Sequence, residues 1–131
     1  LMTSQGPGAP FEPEERMYGF QACGCFGKCY IDYDAHSGEE YLKVTKDGDR
    51  AVFRYLSLKT LPQSVEIRSR GRAGIDICLN DVYVGGGEIT ENGKTVFLLD
   101  CSRIDSLQAE IELVFKQVEE LELNSMVFHV S

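Results

Sequence analysis

The chain has 131 residues, of which 43% are hydrophobic and 26% charged, so its composition predicts one folded domain with a buried core. Thirteen basic residues against 21 acidic ones leave a formal charge of −8, which argues against nucleic acid or an anionic membrane as partner, because both require a basic face. The sequence contains no tryptophan.

The first thirteen residues differ in composition from the rest of the chain. Residues 1–13 hold three of the four prolines and two glycines, a pattern typical of a linker. We therefore expect a linker from an upstream domain at residues 1–13 and a single module at residues 14–131.

Short segments rich in β-branched and aromatic residues follow. Residues 51–58 and 64–70 are predicted strands, and in the second Val65 and Ile67 face one way while Glu66 and Arg68 face the other. Ile75, Ile77 and Leu79 repeat this alternation. Turns are predicted at Asn80-Asp81 and, as a flexible one, at Gly85-Gly86-Gly87. Residues 95–99 form an apolar run, which predicts a strand buried on both sides.

Residues 107–123 fit two secondary structures about equally well. Leu107, Ile111, Val114, Val118 and Leu121 follow the spacing of an amphipathic helix. The same residues also fit a strand, with residues 109, 111, 113 and 115 on one face and a turn at 117–120. The many short strands elsewhere favour the strand, and with it an antiparallel β-sandwich.

The residues that commonly bind metals do not form a complete site. Cys23, Cys25 and Cys29 lie close together, but His36 and His129 stand alone and no second pair supplies a fourth zinc ligand. We expect reduced thiols or one local disulfide here, a loop position for His36 and a structural role for His129. Asp47-Gly48-Asp49 lacks the later carboxylates of a calcium loop, which favours a plain turn. No metal and no cofactor is predicted.

Catalytic patterns are equally weak. No glycine-rich loop precedes a helix, and no serine or cysteine stands in a nucleophile motif. The pairs Glu39-Glu40 and Glu119-Glu120 point to opposite faces if they lie on strands, so we interpret them as solvated turn charges. The sequence therefore predicts a non-catalytic module.

Four stretches together resemble the family 6 carbohydrate-binding modules, especially those attached to family 43 glycoside hydrolases. They are Phe-Glu-Pro-Glu-Glu-Arg at 11–16, Lys-Asp-Gly-Asp-Arg-Ala-Val-Phe at 46–53, the segment 64–81, and Leu-Glu-Leu-Asn-Ser-Met-Val-Phe at 121–128. The resemblance covers about nine tenths of the chain. It implies an all-β, antiparallel β-sandwich of jelly-roll type, with a polysaccharide of the xylan or arabinan class as ligand and an upstream catalytic domain as partner. It also favours an extracellular parent enzyme over a cytoplasmic one.

The binding residues of the resembled family are largely missing. In that family a tyrosine and a tryptophan hold a sugar ring between them, and an asparagine lies beside it. The tyrosine position falls here on Val44, the tryptophan position on Lys94 and the asparagine position on Glu122. A shift of one or three residues brings Tyr41 into the aromatic position. The resemblance thus predicts that the usual end cleft is lost, and that any saccharide is bound weakly, through Tyr41 or through Tyr55 and Tyr83 on the concave face.

Two further expectations follow from the resemblance. The calcium ligands of the family fall on Tyr18-Gly19-Phe20, which offer no carboxylate, so no calcium is expected there. The alternative to weak sugar binding is a purely structural module that packs on its catalytic domain.

Overall fold

The computed structural model describes residues 16–18, 24–26, 30–33, 40–58, 60–106 and 108–130. Within these ranges the regular structure consists of strands, and there is no helix long and apolar enough to cross a membrane. The strands are β1 Met17–Tyr18, β2 Gly24–Phe26, β3 Tyr30–Tyr33, β4 Glu40–Val44, β5 Arg50–Ser57, β6 Ser64–Leu79, β7 Val82–Ile89, β8 Gly93–Leu98 and β9 Gln108–His129. The predicted linker at 1–13, His36, Cys23 and Cys29 lie outside the described residues.

The two longest strands, β6 and β9, pair with each other along nearly their whole length. The first half of β6 also pairs with β8, and the facing half of β9 pairs with β4 and β1. The second half of β6 pairs with β7, and the facing half of β9 pairs with β5. Every strand pair is antiparallel, and the two halves form the two layers of a β-sandwich, as predicted.

A bend in the middle of both long strands separates these halves. The β6–β9 register shifts between Arg68 and Gly74, and Gly71, Gln117 and Glu120 have positive φ angles of 94°, 51° and 51°. A side chain at Gly71 would collide with the carbonyl oxygen of Glu120, so glycine is required there. Such bulges increase the local twist and allow one strand to serve two layers.

The core lies on the buried side of the alternating strands. Val65 and Ile67 are fully buried while Arg68 is exposed, which confirms the predicted alternation in β6. The largest fully buried side chains come from both halves of the long strands and from β4, β5 and β7: Phe53, Phe115, Phe128, Leu42, Leu56, Ile67, Ile75, Ile77, Leu79, Ile89 and Ile111.

Residues 107–123 belong to β9 from Gln108 onward, so the strand interpretation is correct and the helical one is wrong. The residues at 109, 111, 113 and 115 are all fully buried. The turn expected at 117–120 is instead the bend, where positive φ angles at both ends allow the strand to continue.

The predicted flexible turn at Gly85-Gly86-Gly87 is wrong, because these residues lie inside β7. Glycine is needed for close packing here: a Cβ atom at Gly85 would lie 2.7 Å from the carbonyl oxygen of Leu98, and one at Gly87 would lie 2.9 Å from the Phe97 ring. By contrast, the turn predicted at Asn80-Asp81 is confirmed, with φ angles of 51° and 66° that suit a two-residue hairpin.

The expectation that residues 95–99 form a strand buried on both sides is also wrong. Phe97 is buried, but Val96 and Leu98 are 54% and 83% exposed. Within the described part of the chain β8 pairs with β6 alone, so it is an edge strand with one face in solvent. An apolar run does not distinguish this arrangement from a doubly buried strand.

Candidate functional site

An open cleft of about 500 Å³ lies beside the bend, on the half of β6 that pairs with β8. Its volume falls in the usual range of small-ligand sites. It is lined by one aromatic residue, two amides and several charged groups: Tyr41, Arg68, Ser69, Arg70, Asn92, Gly93, Lys94, Glu122 and Asn124.

The aromatic residue of the cleft is Tyr41, and the alternation of side chains along β4 determines which way it faces. Leu42 and Val44 of β4 are fully buried, so the intervening positions, including Tyr41, face away from the core. Leu42 pairs with Leu123 of β9, and Tyr41 therefore lies beside Asn124. Half-buried Tyr41 thus combines an aromatic face with a neighbouring amide.

A β-bulge sets the position of that amide. Arg68 pairs with Ser125 and Ser69 with Leu123, so Asn124 is an extra residue of β9 at this point. The bulge also reverses the alternation, because Leu123 is buried before it and Met126 and Phe128 after it. Bulges commonly redirect a side chain towards a functional site.

Three permanent cations share one carboxylate beside the cleft, that of Glu66, and His129 Nε2 lies 3.8 Å from the same carboxylate. The Arg68 Nε, Arg16 Nη2 and Lys94 Nζ atoms lie 3.3, 3.5 and 4.0 Å from the carboxylate oxygens of Glu66. Burial alone raises the pKa of Glu66, but hydrogen bonds from Arg68 and Arg16 and the charge of Lys94 outweigh it and lower the pKa. Glu66 is therefore an ionised partner of these cations.

The other carboxylate of the cleft, Glu122, has two cations of its own. Its oxygens lie 3.5 Å from Lys43 Nζ and 3.9 Å from Arg70 Nε. Glu66 and Glu122 are thus both held in ion pairs.

Two polar groups complete the inner part of the cleft. Asn92 accepts a hydrogen bond of 3.0 Å from the backbone N–H of Gly71 through its Oδ1, which fixes the β7–β8 turn against the bend. Ser69 is 4% exposed, and its hydroxyl is buried without a hydrogen-bond partner in the described structure.

The predicted site residues separate into two groups. Tyr41, Lys94 and Glu122 line this one cleft, whereas Val44 is fully buried in the core and does not face it. Tyr83 is 53% exposed on β7 and lies outside the cleft lining, and the side chain of Tyr55 lies outside the part of the structure that is described.

Four further lining residues went unnoticed in the sequence: Arg68, Arg70, Asn92 and Asn124. Two of them carried a usable signal. Asn124 follows Glu122 by two residues on an alternating strand, and Arg70 follows Arg68 in the same way, so each pair shares a face. Asn92 lies in a turn and carried no such signal.

The Asp47-Gly48-Asp49 segment forms a turn, as predicted. Asp49 Oδ2 accepts hydrogen bonds from the backbone N–H groups of Thr45 and Lys46, and Asp47 Oδ1 accepts one from Val118. Both carboxylates thus stabilise the backbone. No group of three or more potential metal ligands occurs among the described residues, and Tyr18-Gly19-Phe20 lies largely beyond them.

A second cleft, of about 530 Å³, lies on the other side of the bend. Its described lining residues include Asp47, Glu88 and Glu119 but no aromatic side chain. A pyranose packs its C–H face on an aromatic ring and bonds its hydroxyls to polar groups. The cleft that contains Tyr41 is therefore the better candidate.

Solved structures that share this architecture include several carbohydrate-binding modules. The chain superimposes on a family 6 carbohydrate-binding module from Clostridium stercorarium in complex with cellobiose, with a TM-score of 0.76 and 13% identity over 95% of this chain and 99% of that one. A β-1,3-glucan-binding family 6 module from Bacillus halodurans gives a TM-score of 0.75 and 18% identity over 92% and 99%. The chain has the fold of the family 6 carbohydrate-binding modules.

The same fold occurs within a larger enzyme. A family 43 arabinoxylan arabinofuranohydrolase from Bacillus subtilis, in complex with cellotetraose, matches with a TM-score of 0.79 and 10% identity over 94% of this chain but only 28% of the enzyme. No protein-family model and no curated protein sequence matches the chain. These superpositions show the jelly-roll β-sandwich fold that the sequence resemblance implied.

Proposed function

We propose that this chain is a non-catalytic carbohydrate-binding module, and that its site is the cleft containing Tyr41. The observation that carries the proposal is the position of Tyr41 beside Asn124, where one aromatic face and hydroxyl-bonding amides meet in an open cleft. Solved proteins of the same fold are described in complex with cellobiose and cellotetraose, which supports this class of ligand.

The proposed binding is weaker than that of a two-sided aromatic clamp. The described lining contains a single aromatic ring, and Lys94 stands where the resembled family has tryptophan. Aromatic contacts contribute roughly 0.5–1.5 kcal/mol each beyond the area they bury, so one ring instead of two corresponds to a loss of affinity of roughly two- to twelve-fold. The usual end cleft is thus reduced to one side.

The proposed parent is a plant-polysaccharide-degrading glycoside hydrolase of the xylan or arabinan class, with its catalytic domain upstream and an extracellular location. The likeness to one part of a family 43 enzyme supports this arrangement. The module itself is proposed to lack catalytic activity, since Glu66 and Glu122 are each held in ion pairs.

A second candidate function is a structural module that packs on its catalytic domain and binds no sugar. The exposed side chains of Val96 and Leu98 on the edge strand β8 favour it, because a neighbouring domain would bury their apolar surface.

Affinity electrophoresis against soluble xylan, arabinoxylan, arabinan and β-glucan distinguishes the two candidates. The sugar-binding proposal expects retardation by at least one polysaccharide, and its loss in Tyr41→Ala. Tyr83→Ala is the matched control for this cleft, since it removes an exposed tyrosine outside the lining. Loss of retardation in Tyr83→Ala or Tyr55→Ala, with Tyr41→Ala unaffected, would move the site to the other predicted surface. No retardation on the panel, with a native circular dichroism spectrum, would favour the structural module.

A further inference from the structure

The charge of the cleft is opposite to that of the chain. The protein carries a net charge of −8, yet the cleft lining holds three permanent cations, Arg68, Arg70 and Lys94, and one carboxylate, Glu122. Glu66 adds one further negative charge beside it, which Arg16, Arg68 and Lys94 share. An acidic protein thus presents a local positive field at its candidate site.

We propose that the cleft selects a saccharide that carries a carboxylate, a uronic acid residue of an acidic polysaccharide, with Arg68 and Lys94 as the groups that recognise it. This inference rests on the proposed function, because it names the ligand class of the same cleft.

The geometry of Arg68 and Lys94 suits this role. The two residues are directly opposite each other in the β6–β8 pair, and their side chains are 54% and 57% exposed. The Glu66 side chain between them is only 13% exposed. A ligand carboxylate approaching from solvent therefore meets the cations before it meets Glu66. The guanidinium of Arg68 retains N–H donors that form paired hydrogen bonds with a carboxylate.

Folding alone does not account for this cluster. Exposed ion pairs contribute little to stability, and like charges directly opposite each other in a sheet are unfavourable. Three cations around one carboxylate leave two positive charges in excess, a cost that a bound anion would remove. Glu122 is itself paired with Lys43 and Arg70, so it does not take the place of a ligand carboxylate at Arg68 and Lys94.

The inference is tested by calorimetric titration of the full chain with trigalacturonate and with neutral xylotriose, in low and in moderate salt. We expect trigalacturonate to bind at least about ten-fold more tightly in low salt, and this preference to shrink in moderate salt. In Arg68→Gln and Lys94→Gln, the ratio of the two affinities should fall towards one. Arg68→Lys should retain part of the preference, since it keeps the charge and loses the paired hydrogen bonds.

Lys116→Gln is the matched control. Lys116 is 54% exposed, lies outside the cleft lining and forms one ion pair, with Asp76 at 3.1 Å. Its replacement by glutamine changes the net charge of the protein by the same amount as Arg68→Gln or Lys94→Gln. The affinity ratio should be unchanged in this variant. An equal fall in Lys116→Gln, or no fall in Arg68→Gln and Lys94→Gln, would overturn the inference.

The remaining outcomes separate this inference from the proposed function. Equal affinities for the two sugars, with binding lost in Tyr41→Ala, would overturn the acidic preference and leave the carbohydrate-binding function standing. Binding of neither sugar would overturn the inference, and it would also overturn the proposed function if no polysaccharide of the electrophoresis panel retards the chain. Tighter binding of a sulfated trisaccharide of equal charge than of trigalacturonate would contradict the carboxylate as the recognised group.

Discussion

Arg68 and Lys94 lie opposite each other in neighbouring strands, and both extend to the same carboxylate, that of Glu66. Without Glu66 this would be a repulsive cross-strand pair. Arg16, from the short strand region at the start of the described chain, reaches the same carboxylate and also donates a hydrogen bond of 2.9 Å to Ser125. Glu66 thus connects the edge strand, a central strand and the N-terminal segment.

This arrangement predicts how stability depends on pH. The native pKa of Glu66 is below its ordinary value of 4.5, so its contribution is complete above pH 4.5 and is lost as the pH falls through the native pKa. We expect Glu66→Gln to lower the free energy of unfolding by about 1 kcal/mol at pH 7. Urea unfolding of both proteins at pH 7 and pH 3 measures the difference.

The difference between wild type and Glu66→Gln should shrink as the pH is lowered from 7 to 3, because protonated Glu66 no longer pairs with the cations. Other carboxylates titrate in both proteins and cancel in the comparison. His129 Nε2 lies 3.8 Å from Glu66 Oε1, so the same two proteins are also compared in a His129→Gln background. A difference that stays constant over this range would show that Glu66 stabilises the fold by packing and not by charge.

The hydroxyl of Ser69 supports a second prediction. It is buried without a hydrogen-bond partner in the described structure, so removing it relieves a desolvation cost. We expect Ser69→Ala to leave the free energy of unfolding unchanged or to raise it by up to about 1 kcal/mol. Ser125→Ala is the control, because that hydroxyl accepts the hydrogen bond from Arg16 and should cost about 1 kcal/mol when lost. Equal destabilisation by both substitutions in urea would contradict the assignment.

The glycines of β7 support a third prediction. A Cβ atom at Gly86 would collide with the backbone of β6 at Ile75, whereas one at Gly87 would meet the Phe97 ring, a side chain that shifts at lower cost than paired backbone. We expect Gly86→Ala to lower the free energy of unfolding by about 2–3 kcal/mol and Gly87→Ala by less. Thermal unfolding measures both effects. A Gly87→Ala protein that is less stable than the Gly86→Ala protein would show that β6 and β7 do not pack as closely at Gly86 as the structure indicates.

Much of the fold could be predicted because alternation is a local property. Val65 and Ile67 against Glu66 and Arg68 identified a half-buried strand. Alternation at 109–115 fitted a strand about as well as a helix, and the many short strands elsewhere favoured the strand, which is β9. The glycines at 85–87 were interpreted as a turn because glycine is common in turns. Their actual role is close backbone packing against distant residues, such as Leu98 and Ile75, which adjacent sequence does not reveal.

The site was harder to predict than the fold. Resemblance assigned binding-cleft positions to Lys94 and Glu122, and a shift of that alignment assigned one to Tyr41. These three residues line one cleft of the structure, and their role in binding stays a prediction. Asn124 was missed although its spacing from Glu122 placed both on one face. That it is the extra residue of a bulge depends on the register between β6 and β9, which adjacent sequence does not reveal. The positive field of the cleft was also hidden, since the overall charge of −8 suggests the opposite.

The most direct test of the central claim is a calorimetric titration of wild type and Tyr41→Ala with a saccharide that retards the wild type, or with trigalacturonate if none of the neutral polysaccharides does. We predict saturable one-site binding by the wild type, and a loss of affinity of about ten-fold or more in Tyr41→Ala, with Tyr83→Ala unchanged. Binding that is equally strong in wild type and Tyr41→Ala, or absent from the folded wild type, would contradict the assignment of this cleft as a saccharide-binding site.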